Sequence, residues 1–140
     1  MAAAETDSAG AAYGKGMVFG VFDRFHEGHR HFLAQAAARC RELIVVVTLD
    51  EVVKALKGRA PRQIWDERAE AIRSFNKEFK VVPGDTTLGA WEVITSHKPD
   101  IIFLGYDQNG IASELEKISR PFVFLAAHQP EKYKSSLLKD

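Results

Sequence analysis

The chain has 140 residues, and its 19 basic and 19 acidic side chains cancel to a formal net charge of zero. That length suits one domain with a core of its own, and the balanced charge excludes a global field for gripping nucleic acid or an anionic membrane. The single cysteine, Cys40, excludes an internal disulfide framework, and no signal peptide or membrane-length apolar run is evident, so a soluble cytoplasmic protein is expected.

Residues 1–15, Ala-rich and lacking an apolar period, read as a disordered or vector-derived tail, which leaves 16–140 as the domain. From Met17 onward, short β-branched runs alternate with longer amphipathic ones. Met17–Val21 predicts a strand and His29–Cys40 a helix. The run Leu43-Ile-Val-Val-Val-Thr48 has the unbroken apolar character of a strand buried on both faces. Asp50–Leu56 predicts a helical turn, Asp66–Phe75 a longer helix, and Val81-Val82 a brief strand ended by Pro83-Gly84. Leu88–His97 reads as helix, Ile101–Leu104 as a second buried strand, Glu114–Ser119 as a short helix and Phe122–Leu125 as the closing strand. Strands separated by helices require right-handed crossovers, so the expected class is α/β, a Rossmann-like parallel five-stranded sheet flanked by helices in a single domain. Ligands of such sheets bind beyond the carboxyl ends of the strands, at the switch in strand order. Three polar segments follow predicted strands there: Val21–His29, Asp50–Arg59 and Gly105–Gln108.

The decapeptide Gly20-Val-Phe-Asp-Arg-Phe-His-Glu-Gly-His29 is the most informative. His26 and His29 lie about one helical turn apart and can face the same way. Gly28 permits close backbone approach, and the helix start adds oriented amides, which together make a receptor for phosphate. The plainer alternative is a pair of helix-capping surface histidines. Lys54, Lys57 and Arg59 offer point charges for a phosphate after the second strand, against a solvated basic loop as the alternative. Asp107, beyond a buried strand, suits a ribose hydroxyl or a base edge, with Gly105 giving clearance and Tyr106 stacking or roofing; a simple Asp-Gln loop cap is the alternative. Asp23 reads as a structural loop cap, with a metal-linked role as the alternative, and Arg68 as a weaker phosphate-binding candidate or else a surface partner of Asp66 or Glu70. His31 is expected on a different helix face from His29, and His97 and His128 on the surface.

The head segment resembles the HxGH signature of the nucleotidyltransferase superfamily of cytidylyltransferases and adenylyltransferases. Thr48-Leu-Asp-Glu51, Leu56-Lys-Gly-Arg59, Glu67-Arg68, Lys98-Pro-Asp-Ile-Ile-Phe-Leu-Gly-Tyr-Asp-Gln108 and Tyr133-Lys-Ser-Ser136 extend the likeness in order. The Pro-Asp-Ile-Ile string is most similar to archaeal-type FAD synthases, while the head motif is shared with glycerol-3-phosphate cytidylyltransferase-like proteins. The resemblance implies attack of an acceptor phosphate on the α-phosphate of a nucleoside triphosphate, with pyrophosphate leaving and Mg²⁺ accompanying the nucleotide; the sequence itself shows no dedicated cluster of metal ligands. Residue by residue, it implies that His26 and His29 donate to α-phosphate oxygens and that Lys57 bridges acceptor and triphosphate. Val21, Phe22, Gly28, Gly105 and Asp107 would bind the nucleotide, and Lys54, Arg59 and Tyr106 the acceptor. Tyr133, Ser135 and Ser136 would grip the triphosphate from a short C-terminal helix. Val21 departs from the family, where threonine is usual. The partners implied are ATP or CTP and a small phosphorylated acceptor, FMN foremost and glycerol phosphate or an amino-alcohol phosphate next, in a homodimer. Loss of turnover in a nucleotide-binding regulatory protein is the alternative from another class.

Overall fold

Two unbroken apolar runs, Leu43–Val47 and Ile101–Leu104, become inner strands because side chains on both of their faces must be covered. The computed structural model describes residues 12–87 and 89–125, and the expected sites at Tyr133, Ser135 and Ser136, like His128, lie outside them. In chain order the elements are β1 (Tyr13–Gly20), α1 (Glu27–Ala38), β2 (Cys40–Val47), α2 (Asp50–Lys57), α3 (Trp65–Phe75), β3 (Lys80–Pro83), α4 (Glu92–His97), β4 (Ile101–Leu104), α5 (Asn109–Lys117) and β5 (Phe122–Phe124). All neighbouring strands pair in parallel, in the order β3-β2-β1-β4-β5. The α/β class and the five-stranded parallel sheet are those expected from the sequence.

The sheet carries a core on each face. Val18, Val45, Val47 and Phe103 pack with Leu33 of α1 and Ile72 of α3. On the other face Met17, Ile44, Val46 and Ile102 meet Ile94 of α4 and Leu115 of α5. Chain order reverses direction across the sheet between β1 and β4, and here the ladder is short. Pairing is limited to Gly16 with Ile101 and Met17 with Ile102, so the carboxyl ends of β1 and β4 part and open a crevice.

Several boundaries differ from expectation for identifiable reasons. Strand β1 starts at Tyr13, inside the span read as tail, and the Tyr13 ring meets Phe103 edge-on at 6.0 Å. Helix α1 begins two residues early, at Glu27, because His26 caps it. Helix α4 is confined to Glu92–His97: Gly89 (φ 81°) and Trp91 (φ 55°) are left-handed, and the Asp85 carboxylate accepts the amides of Glu92 at 2.8 Å and Val93 at 3.0 Å. Cys40 belongs to β2, not to α1. Its buried Sγ donates to the Ala36 carbonyl at 3.4 Å, and burial, offset in part by a backbone bond at Gly16, pushes the thiol up to about 11. No helix among the described residues is long and apolar enough to cross a membrane.

Candidate active site

Past Gly20 the backbone turns sharply, with Phe22 (φ 55°) and Arg24 (φ 50°) both left-handed. Such residues cost of order 1–3 kcal/mol each and persist only where the surroundings hold them. A Cβ on Gly20 would stand 2.7 Å from the buried Phe22 ring, so it is the packing of that ring against the strand end that favours glycine there.

What holds the turn is the connection between α2 and α3. The Asp23 carboxylate, 1% exposed, accepts the amides of Arg62 at 2.7 Å and Gln63 at 3.0 Å, while the Gln63 side chain accepts the Arg24 amide at 2.9 Å. Asp23 is thus the loop cap the sequence suggested, reaching about forty residues along the chain. Arg68 is a correction: it is 0% exposed rather than a surface partner of Asp66 or Glu70. Its guanidinium pairs with Asp50 and donates to the carbonyls of Val21 at 2.8 Å and Gln63 at 3.0 Å. The C=O and N–H of a trans peptide point in opposite directions, so this grip on the Val21 carbonyl turns the Phe22 amide away from α3.

Both histidines cap α1. His26 Nδ1 accepts the Gly28 amide at 3.1 Å, and His29 Nδ1 accepts the His26 amide at 3.2 Å. This is a capping box with imidazoles in the roles usually taken by a hydroxyl and a carboxylate. The rings stack at 3.7 Å with 22° between planes, and His29 lies against Phe25 and edge-on to Phe22. With Nδ1 accepting, a neutral imidazole carries its proton on Nε2. The capping and phosphate readings are therefore compatible: the cap uses Nδ1 and fixes Nε2–H as the donor of each ring. Gly28, expected to let a ligand approach, also spends its amide on the cap.

A cavity of about 490 Å³ opens where β1 and β4 part. It brings together Val21, Phe22, His26, Gly28, His29, Lys57, Gly105, Tyr106 and Asp107, all singled out from the sequence. Lys57 closes α2, which Gly58 terminates in a left-handed conformation (φ 79°). Lys54 and Arg59, on either side, are exposed and do not line the cavity. Burial first, and the neighbouring Asp107 second, raise the Tyr106 phenol above its ordinary range. His97 is on the last turn of α4, away from the cavity, and its carbonyl accepts from Lys15 Nζ at 3.4 Å.

Sequence reasoning missed other cavity residues. His31 lines it, because His31 and Phe32 follow Gly28 at spacings of three and four and share its face of α1. Thr48, Leu56, Gln108, Ile111 and Leu125 also contribute. Leu56 is 59% exposed, and its place beside Lys57 was the signal available.

A parallel sheet with a phosphate-receptive helix start at its switch point defines a nucleotide-binding α/β class. The pattern of the cytidylyltransferase-like family matches residues 17–140, and the chain belongs to that family. Among individual proteins it is similar to FAD synthases: 42% identical over 98 residues to that of Thermococcus sibiricus and 45% identical over 93 residues to that of Pyrococcus abyssi. The matched stretches cover 70% and 66% of this chain but only 66% and 63% of those proteins. The lipopolysaccharide core biosynthesis protein of Thermoplasma volcanium superposes with a TM-score of 0.72 at 27% identity, over 84% of this chain and 100% of that one.

Proposed function

We propose that the protein transfers an adenylyl group from ATP to FMN, releasing pyrophosphate. The observation that carries this reading is the convergence of the two Nε2–H donors of α1, Lys57 and the Gly105–Asp107 loop on one cavity at the switch point. In the step, an oxygen of the acceptor phosphate forms a bond to the α-phosphorus. The bond from that phosphorus to the α,β-bridging oxygen breaks, and its electron pair leaves with pyrophosphate. No protein nucleophile is needed, because catalysis consists of positioning and neutralising charge on oxygens. His26 and His29 donate to the α-phosphate as charge grows, the Val21 and Phe22 backbone cradles the chain of phosphates, and Lys57 holds acceptor and α-phosphate together. Asp107 accepts from the ribose. Lys54 and Arg59 attract the acceptor, and Tyr133, Ser135 and Ser136 grip the triphosphate.

Among the described residues no cluster of His, Cys, Asp or Glu fits a resident metal ion, and the Asp23 carboxylate is engaged by two backbone amides. Mg²⁺ enters instead as part of the substrate, bound to the triphosphate.

FMN is favoured as acceptor by the likeness to FAD synthases and by the exposed Leu56 on the wall that also carries Lys57, which gives a flat ring system an apolar surface. A second reading, cytidylyl transfer to glycerol phosphate or an amino-alcohol phosphate, is favoured by the family's description alone. Pyrophosphate release is the test, with MgATP or MgCTP against FMN, glycerol 3-phosphate and phosphocholine. MgATP with FMN is expected to give FAD and pyrophosphate in equal amounts. Binding of either triphosphate with no pyrophosphate from any acceptor would overturn the enzyme reading in favour of a regulatory protein. Turnover with MgCTP alone would move the acceptor to the second reading. Assembly as a homodimer is supported by Phe124, 45% exposed on the edge strand β5, and sedimentation reads it directly.

A further inference from the structure

We infer that Gln108 is a positioning residue that wedges β1 and β4 apart and thereby sets the width of the nucleotide crevice. Extending the register of Met17 with Ile102 by two residues would set Phe19 opposite Leu104, but the ladder does not continue that far. In its place stands a side chain. Gln108 Oε1 accepts the Gly105 amide at 2.9 Å, and Gln108 Nε2 donates to the Phe19 carbonyl at 2.9 Å. The primary amide thus satisfies one backbone group on each strand end at the point where the two strands would otherwise close on each other.

The side chain has no part in capping α5, although Gln108 is that helix's N-cap residue; only its carbonyl serves there, accepting the Ala112 amide at 3.2 Å. Its reach spans 89 positions of sequence, to the strand that runs directly into Val21 and Phe22. Gly105, at the other end, leads to Asp107. The wedge therefore fixes the separation between the amides that cradle phosphate and the carboxylate that holds ribose. An amide is the fitting group: it donates at one end and accepts at the other, which neither a carboxylate nor an ammonium does.

For its kinetic readout this role rests on the nucleotidyl-transfer reading, so binding is measured separately. Gln108→Met keeps the volume and removes both hydrogen bonds. Expected is a roughly tenfold rise in the Kd for MgATP by calorimetry and in the KM for ATP, with the KM for FMN unchanged. Gln108→Glu keeps the acceptor for Gly105 and, when ionised, cannot donate to Phe19. Its MgATP affinity relative to wild type is expected to recover as the pH falls and the carboxyl regains a proton to give. A lowered melting temperature with MgATP affinity unchanged in both variants would overturn the wedge and leave a purely structural residue, as would equal losses for both substrates. If Gln108→Met does not fold, the pH profile of Gln108→Glu decides alone. Wild-type protein that binds MgATP without turnover overturns the transfer reading, while the calorimetric comparison still tests Gln108.

Discussion

Between Gly20 and His29 the chain carries two left-handed non-glycine residues, a buried carboxylate and a histidine capping box, whereas from Lys54 to Ala60 every residue is exposed. The two segments share one cavity and differ in how they are held. Asp23, Gln63 and Arg68 fasten the first to another part of the chain by backbone and side-chain bonds, so its geometry is over-determined. The second ends at a left-handed glycine and presents Leu56 and Lys57 from the last turn of a short helix. The contrast teaches a difference in restraint: the loop that carries the two histidines is held from several sides, while the Leu56–Lys57 wall lies exposed; under the proposed function this sets preorganised donors opposite an adaptable acceptor wall.

The comparison breaks most visibly at His29. His29→Ala is expected to lower kcat by about 10²–10³, as for loss of one preorganised donor, while unfolding registers the lost cap and the ring contacts with Phe22, Phe25 and His26, about 1–2 kcal/mol. Turnover near the wild-type level would remove His29 from the mechanism. Next comes the fastening itself. Asp50→Ala strands the buried Arg68 guanidinium and is expected to cost about 3 kcal/mol in urea unfolding, the low end for a buried pair because Asp50 is 40% exposed. A loss within 0.5 kcal/mol, the range of ordinary surface changes, would show that the head loop needs no such anchor. The smallest effect is on the open wall. Leu56→Ser is expected to raise the KM for FMN several-fold, with unfolding and the KM for ATP unchanged; an equal change in both constants would erase the distinction between the walls.

Much of this plan was legible in the chain. Unbroken apolar runs marked the inner strands, the alternation of strand and helix marked the parallel sheet, and polar segments after strands marked the cavity. What escaped was set by tertiary partners. Asp66-Glu67-Arg68 looks like a solvated turn of helix, and nothing local says that Arg68 turns inward to a carbonyl 47 positions away. The start of α1 is a local matter: helix-capping histidines were the plainer alternative in the sequence, and the structure joins that use of Nδ1 to an Nε2–H left to donate. His31 went unassigned because it was set against His29, on another face of α1, and not against Gly28, whose face it shares. Gln108 looked like a loop residue because its main partner lies on a strand folded much earlier in the sequence.

Cys40 carries a consequence of a different kind. Its thiol is packed under the last turn of α1 and beside Gly16 of β1, where an added Cβ would come within 2.9 Å of the sulfur. Held protonated and covered, it is inert toward thiol reagents while that seam is shut. The rate at which the native protein is labelled therefore reports how often the seam between the end of α1, β1 and β2 opens.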